Sequence, residues 1–385
     1  MIEPDDTREQ HTDDTAERIV DRRGVLKLLG VPVALGSLAY LRQLGGSDDG
    51  SVPNWLEYAF SSRVQWAVDR TFHSRPVVAD GTIYLRQDNR IHALATADGT
   101  EQWRAETADG PAHRFHIPLT VADGLVYEFA RRDQLYALDA ADGSERWTAD
   151  LGDGASGPPT VAGDTVYIGV DETMYALDAA DGSQRWAVDP PRDPSGSPAV
   201  VDDTVYMGGS NVHALDAHDG TERWSTEGGE TNIRIRVSAH DNDSLLVHAG
   251  EEIYALDAAD GTERWRADTS TLFRAPLAVA DGTVYAPTRE EWAYSSGSDG
   301  SLYAFDAASG DVQWQFTVAG GLSPPTIADG TVYGCSNPGN TGGRLYAIDA
   351  TDGTERWSFP VSADAPTAAD GTVYASGYSL YALDT

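Results

Sequence analysis

The stretch YALDAADGSERW at residues 136–147 decides the fold, because close copies of it recur along most of the chain. Six more copies that end in tryptophan occupy residues 92–103, 175–186, 213–224, 254–265, 303–314 and 346–357. An eighth copy, YALDT, begins at residue 381, and a tryptophan strand without a phrase of its own, RVQW, stands at residues 63–66. Self-similarity of this kind is the signature of a repeat architecture.

A second phrase precedes each copy, as in PVVADGTIY at residues 76–84. Asp-Gly between β-rich runs is a strong hairpin signal, so each unit reads as four short strands. The Leu-Tyr-Ala-Leu strands are apolar on both faces, which suits sheets that are covered on both sides. The pattern therefore predicts an all-β fold, an eight-bladed β-propeller of four-stranded blades. We expect the N-terminal Trp66 strand to pair with the C-terminal blade and close the ring.

The core pattern Ala-x-Asp-Ala-x-Asp/Ser-Gly-x-x-x-Trp resembles the tryptophan-docking repeat of the quinoprotein-like (PQQ-type) propeller family. That family includes quinoprotein alcohol dehydrogenases and the propeller lipoprotein that assists outer-membrane assembly, and the compact blades are closest in architecture to the lipoprotein. The resemblance implies a structural role, with each ring packed into the neighbouring blade, for Trp66, Trp103, Trp147, Trp186, Trp224, Trp265, Trp314 and Trp357.

The same resemblance raises the possibility of pyrroloquinoline quinone and calcium in the central funnel. The family's dehydrogenases carry adjacent cysteines beside the quinone, an aspartate base and calcium ligands on long insertions. Here Cys335 is the only cysteine, and no insertion matches. We therefore expect no catalytic, cofactor-binding or metal-binding residue, and a quinone-dependent dehydrogenase is kept as the alternative. The repeated aspartates are interpreted as caps of their own turns.

The net charge of the chain limits the environments and the partners that we expect for it. The chain has 27 basic and 61 acidic residues, a formal net charge of −34, with 41% hydrophobic residues. A folded protein with this acid excess fits an environment of high salt, where charges are screened within a few ångströms. Nucleic-acid binding is not expected, because phosphate contact needs a basic face.

The N-terminal part has the order of an export signal. Residues 1–20 are predicted to be an acidic disordered region and residues 45–58 a linker, ahead of a propeller domain at residues 59–385. Between them, residues 21–44 resemble a twin-arginine signal, with Arg22 and Arg23 before an apolar run. We expect an exported, extracellular or cell-surface protein, with possible membrane attachment through residues 25–41 if the segment stays uncleaved.

Departures from the repeat point to a site. Several cations fall in the connections that follow a tryptophan strand, and two long loops at residues 287–301 and 335–344 break the regular spacing. The candidate face for a protein partner or an anionic ligand comprises Arg75, Arg114, His116, Arg234, Arg236, Arg274, Trp292 and Tyr294. Arginine and aromatic side chains are typical of interaction surfaces. The sequence thus predicts an exported, non-enzymatic binding or scaffold propeller.

The charge generates a first prediction. We expect the melting temperature to be higher in 3 M than in 0.1 M potassium chloride, because concentrated salt screens the repulsion among the acidic side chains. Circular dichroism at matched pH measures it. The same melting curve in both salts would refute the adaptation to high salt.

Overall fold

The computed structural model describes residues 19–21, 63–72, 74–107, 117–130, 134–152, 154–189, 195–226, 236–241, 243–269, 271–273, 275–289, 299–336 and 342–385. Secondary structure in these residues consists of β-strands, numbered β1 to β34 in chain order. The strands form eight antiparallel sheets, one for each repeat. The predicted eight-bladed β-propeller is confirmed.

Blade 1 contains β3 (Val77–Ala79), β4 (Thr82–Gln87), β5 (Arg90–Ala95) and β6 (Glu101–Glu106). Blade 2 contains β7 (Thr120–Ala122), β8 (Leu125–Ala130), β9 (Gln134–Asp139) and β10 (Glu145–Asp150). Blade 3 contains β11 (Thr160–Ala162), β12 (Thr165–Val170), β13 (Thr173–Asp178) and β14 (Gln184–Val188). Blade 4 contains β15 (Ser195–Val201), β16 (Thr204–Gly208), β17 (His213–Asp216) and β18 (Glu222–Ser225).

Blade 5 contains β19 (Arg236–Asp241), β20 (Ser244–Ala249), β21 (Glu252–Asp257) and β22 (Glu263–Asp268). Blade 6 contains β23 (Leu272–Phe273), β24 (Ala278–Ala280), β25 (Thr283–Arg289), β26 (Asp299–Asp306) and β27 (Val312–Ala319). Blade 7 contains β28 (Thr326–Ala328), β29 (Thr331–Ser336), β30 (Arg344–Asp349) and β31 (Glu355–Pro360). Blade 8 contains β32 (Ala363–Ala369), β33 (Thr372–Gly377), β34 (Leu380–Asp384), β2 (Val64–Val68) and β1 (Ile19–Asp21).

The ring closes through strands from opposite parts of the chain. β2 pairs antiparallel with β34, which places Trp66 opposite Ala382 and Val68 opposite Leu380. The short strand β1 pairs in turn with the outer edge of β2. Its residues 19–21 fall at the predicted boundary between the acidic region and the signal segment. Closure therefore uses the Trp66 strand, as the split repeat predicts.

The apolar core lies between neighbouring blades. Tyr127 and Leu135 of blade 2, for example, form one buried cluster with Val166 and Ile168 of blade 3. Such side chains explain why the second and third strands are apolar on both faces, since each sheet is covered on both sides.

The hairpin turns require their Asp-Gly sequence. Asp80 and Gly81, between the first two strands of blade 1, have φ angles of 47° and 74°. Positive φ at both central residues matches the right-handed twist of the flanking strands, and aspartate and glycine tolerate it better than most residues. The same turn recurs at the matching position of four other blades, at Asp123, Asp281, Asp329 and Asp370, whereas in blades 3 and 4 one residue of the turn has a positive φ, Gly163 and Asp202.

Tryptophan docking joins each blade to the next. Trp147 of blade 2 donates its Nε1–H to the carbonyl of Ala179 in blade 3 at 2.9 Å, and its ring lies against Gly182. A Cβ on Gly182 would lie 2.5 Å from Cε3 of that ring, so only glycine fits. The equivalent bonds, at 2.9 to 3.1 Å, are donated by Trp66, Trp103, Trp186, Trp224, Trp265 and Trp314.

A second-strand tyrosine reinforces some of these joints. Tyr84 donates its hydroxyl to the carbonyl of Ala140 at 3.1 Å, the same carbonyl that accepts from Trp103 at 2.9 Å. The two rings also contact each other, with centroids 5.9 Å apart. One carbonyl thus accepts hydrogen bonds from two aromatic side chains of the preceding blade. The tyrosine of the second strand recurs in the sequence, but its recurrence alone did not predict this role.

The joint between blades 7 and 8 is built differently. The guanidinium carbon of Arg63 lies 4.5 Å from the centroid of the Trp357 ring, and Arg63 Nη1 donates to the carbonyl of Thr385 at 3.3 Å. Gln65 donates to Asp384 Oδ1 at 2.7 Å. A cation over an indole face is favourable by about 0.5–2 kcal/mol, so Arg63 contacts Trp357 as the repeat glycine does at the other joints.

Most of the predicted N-terminal segments fall outside the described residues. The disordered region and the linker are affected, and so are the twin-arginine motif and the apolar run at residues 25–41. Among the residues that the structure does describe, no helix has the length and apolar character to span a membrane.

Two glycines provide a test of docking. Gly143 and Gly124 have φ angles of +72° and +76°, but an added Cβ would meet Trp103 at 2.5 Å at Gly143 and nothing within 4 Å at Gly124. We expect Gly124→Ala to lose about 1–2 kcal/mol of unfolding free energy from its backbone. Gly143→Ala should lose about 1–3 kcal/mol more from the clash. Urea unfolding in high salt measures both, and equal losses would contradict the docking role.

Candidate partner-binding face

Antiparallel blades give the propeller two different faces. We define the docking face as the face that carries the turns between the first and second strands and between the third and fourth strands of each blade, such as residues 80–81 and 96–100. The connection face carries the segments that join blades, such as residues 69–76, and the loops between second and third strands, such as residues 377–379. Of the candidate residues of the sequence, Arg75 lies in one of these connecting segments.

Polar groups of the docking face are bonded to one another. Arg185 donates to Asp178 Oδ2 at 2.7 Å and to Asp164 Oδ1 at 2.8 Å. Asp178 also accepts from the backbone N–H of Ala180, so its own turn is capped. These bonds, Arg185 first, lower the pKa of Asp178. The same arginine–aspartate pair forms in Arg146–Asp139, Arg223–Asp216, Arg264–Asp257 and Arg356–Asp349.

The connection face contains the described part of the predicted site. Arg75 is described in full, and Arg236 is described as the first residue of β19 without its side chain. The remaining candidates lie outside the described residues: Arg114, His116, Arg234, Arg274, Trp292 and Tyr294. The predicted cluster of cations therefore stays a prediction.

Arg75 lies in the segment that joins blade 8 to blade 1. Its Nε donates to the hydroxyl of Thr367, on the innermost strand of blade 8, at 3.2 Å. The Thr367 hydroxyl donates in turn to the carbonyl of Pro76 at 2.5 Å. In the described part of the chain, no carboxylate lies within ion-pair distance of Arg75, although its side chain is partly buried. Burial lowers the pKa of Arg75, but the guanidinium remains charged at neutral pH.

An exposed aromatic side chain stands beside this segment. Tyr378, in the loop between the second and third strands of blade 8, is 77% exposed. The Thr71 hydroxyl donates to its carbonyl at 3.4 Å, and the N–H of Phe72 donates to the carbonyl of Gly377 at 2.9 Å. Two loops of the connection face are thus bonded together at the joint of blades 8 and 1. The repeat comparison missed Tyr378, because tyrosine recurs throughout the blades and only exposure singles it out.

A buried ion pair joins blades 1 and 2 near the same face. Arg86 Nε lies 2.9 Å from Glu128 Oε1, and the two side chains are only 8% and 1% exposed. Arg86 is therefore not an open cation of the connection face. Burial raises the pKa of Glu128, and the charge of Arg86 opposes that rise. Buried acids with a raised pKa also occur in catalytic sites.

The described residues do not include the groups that the resemblance implies for a quinone and calcium site. Cys335 is buried on β29, and burial raises the pKa of its thiol. Within the described residues, no group of three or more His, Cys, Asp or Glu side chains is arranged to hold a metal ion. With one cysteine in the whole sequence, the adjacent pair that the resemblance implies cannot form.

Comparison with known proteins agrees with the repeat. The sequence profile of the family described as outer membrane protein assembly factor BamB, of the PQQ type, matches residues 58–116, 87–238, 209–326 and 298–385. These segments overlap and include all eight blades. No curated protein sequence matches the chain.

Solved structures share the fold at low sequence identity. BamB from Moraxella catarrhalis has a TM-score of 0.65 at 18% identity, covering 81% of this chain and 94% of that one. The quinohemoprotein alcohol dehydrogenase from Comamonas testosteroni has a TM-score of 0.66 at 15% identity, covering 82% and 74%. The computationally designed Ika8 protein has a TM-score of 0.67 at 13% identity, covering 82% and 97%. Since proteins with and without an active site share this fold, function must be argued from residues.

The Arg86–Glu128 pair leads to a prediction about pH. Because burial raises the pKa of Glu128, its protonated form favours the folded state at low pH, and this contribution is lost as pH rises through the folded-state pKa. Arg86→Met removes the compensating charge and should raise that pKa further. We expect a loss of about 3–5 kcal/mol at pH 8 and a smaller loss at pH 5.

Unfolding curves of wild type, Arg86→Met and the double variant Arg86→Met with Glu128→Gln measure this difference. The double variant should not show the extra dependence on pH, because its amide does not titrate. A loss in Arg86→Met that is the same at both pH values would show that Glu128 does not carry the uncompensated charge.

Proposed function

Because the chain belongs to the family described as outer membrane protein assembly factor BamB, we propose that it is a non-enzymatic binding propeller that holds a protein partner on its connection face. Its place of action is outside the membrane, as the twin-arginine-like motif at Arg22 and Arg23 indicates. The partner is a protein rather than a nucleic acid, since the net charge is −34.

The observation that carries this proposal is the exposure of Tyr378. Among the described residues, Tyr378 and Val312 are the large hydrophobic side chains that stay exposed, at 77% and 53%. Val312 begins the outermost strand of blade 6, whereas Tyr378 lies on the connection face next to the segment of Arg75. Tyrosine and arginine are enriched among residues that contribute most to binding at protein interfaces.

The docking face supports the same assignment by contrast. Its arginines are paired with aspartates, its aspartates cap their own turns, and its tryptophans are inserted into neighbouring blades. These groups form the contacts that stabilise the ring. Function is then left to the connection face, where the repeats differ from one another.

A quinone-dependent dehydrogenase is the second candidate. It is favoured by the raised pKa of the buried Glu128 and by the fold shared with the alcohol dehydrogenase of Comamonas testosteroni. The lone buried Cys335 argues against it. Tight, saturable uptake of pyrroloquinoline quinone with calcium, together with dye reduction by an alcohol, would establish this candidate over the binding propeller.

Site-specific photo-crosslinking tests the proposed function. A benzoylphenylalanine is placed at Tyr378 or, as the matched control, at Val312, because both positions are exposed but lie on different parts of the blades. In cells of the native host we expect a discrete protein adduct from position 378 and none from position 312. Adducts of the same kind from both positions, or from neither, would contradict a partner-binding connection face.

A further inference from the structure

We propose that Arg75 is a preformed receptor for a carboxylate of the partner, so that the partner presents an acidic segment to the mouth of the central channel. This inference rests on the proposed function and names the chemistry of the bound segment. It is carried by the hydrogen bonds of Arg75, by the missing counter-charge and by the rigidity of its backbone.

One edge of the Arg75 guanidinium donates a hydrogen bond, and the other edge has no acceptor among the described residues. Nε donates to Thr367 Oγ1 at 3.2 Å, and the described part of the chain supplies no acceptor to Nη1 or Nη2. The Thr367 hydroxyl cannot also serve a ligand as donor, because it donates to the carbonyl of Pro76. The two terminal nitrogens of the guanidinium therefore remain available to a ligand. Their spacing allows them to donate to both oxygens of one carboxylate.

No described group neutralises this charge. Cys335 is the titratable group whose charge would act on Arg75, and burial raises the pKa of this thiol so that it stays protonated and neutral. Asp364, which precedes Thr367 on β32, is exposed and forms no ion pair with Arg75. A partly buried cation without a counter-ion is unfavourable, and an external carboxylate relieves that cost.

The arginines of the repeat behave differently. Arg185, for instance, lies within 2.8 Å of two aspartates. The partly buried Arg70 is paired with Glu101 at 2.9 Å, although it belongs to the same connecting segment as Arg75. In a chain of net charge −34, carboxylates are abundant enough to pair most arginines. Because Arg75 pairs with none of the described carboxylates, it is available for an external anion.

Hydrogen bonds on both sides hold Arg75 in place. Ser74 is buried, its hydroxyl accepts from the backbone N–H of Arg86 at 2.8 Å, and its carbonyl accepts from Ser376 at 2.6 Å. On the other side, the Pro76 carbonyl accepts from Thr367. Such a side chain loses little conformational entropy on binding, because its backbone is already ordered.

The surroundings select a carboxylate over a phosphate. A phosphate dianion is usually held by several cations, whereas Arg75 is a single one and the exposed Asp364 would repel a double charge. The exposed Tyr378 in the neighbouring loop offers contact area for a polypeptide that a small dicarboxylate would not use. The geometry therefore favours an aspartate or glutamate side chain of a peptide segment.

The experiment combines three variants with the crosslinking probe at position 378. Arg75→Gln removes the charge, Arg75→Lys keeps the charge without the planar pair of donors, and Arg146→Gln is the control on the docking face. Arg146 is an exposed arginine of the repeat that pairs with Asp139 and lies away from the connection face. Melting curves in high salt verify that each variant is folded.

We expect Arg75→Gln to lower the adduct yield and the affinity for a fluorescent, end-blocked tetraglutamate peptide by roughly ten-fold or more, as for loss of a charge-assisted hydrogen bond. Arg75→Lys should fall between wild type and Arg75→Gln, and Arg146→Gln should equal wild type. End-blocked tetraglutamine should not bind. Unlabelled tetraglutamate should compete with the partner, whereas succinate and phosphate at the same ionic strength should not.

Several results would overturn the inference: adducts and peptide affinity unchanged in Arg75→Gln, equal binding of tetraglutamine, or saturation by succinate or phosphate in place of the peptide. Adduct formation that persists in Arg75→Gln would refute the role of Arg75 and leave the proposed function standing. Absence of an adduct from wild-type protein would refute the proposed function itself.

Discussion

The packing of a tryptophan of one blade under the glycine turn of the next is the interaction on which the ring depends. It combines a hydrogen bond from the indole N–H, as from Trp147 to Ala179, with a contact so close that Gly182 cannot carry a Cβ. Four-stranded blades cannot bury both faces alone, and this contact fixes how far each sheet rotates against its neighbour. The twelve-residue phrase recurs because the joints between blades must meet this geometric requirement.

Closure of the ring imposes a second requirement, because β2 and β34 come from distant parts of the chain. Their pairing gives blade 8 its fourth strand, on which Trp66 docks into blade 1. At the joint between blades 7 and 8, the cation of Arg63 lies on Trp357. A ring of seven equivalent joints thus tolerates an eighth that uses different chemistry, provided that the ring face of the tryptophan stays covered.

Features that repeat could be predicted from the sequence, and features that occur once could not. Docking, Asp-Gly turns and closure through Trp66 follow from spacing, because every copy must satisfy the same geometry. The pairing of Arg86 with Glu128 depends on which residues two particular blades place face to face. The exposure of Tyr378 and the open edge of Arg75 depend on loop packing, which has no periodic signal. The sequence singled out Arg75 by its place between two blades, but the hydrogen bond of its side chain to Thr367 could not be predicted from that place.

The distribution of charge connects the fold with the proposed role. On the docking face, arginines such as Arg185 are saturated by aspartates of the repeat, and this leaves a surface that is acidic and internally bonded. In concentrated salt, the environment that the net charge predicts, long-range steering by such a surface would be weak. Recognition under those conditions would depend on contacts at short range, where burial reduces screening. A rigid, partly buried Arg75 beside an exposed Tyr378 combines a short-range charge contact with apolar area, and such a combination can keep its selectivity where diffuse electrostatic attraction fails.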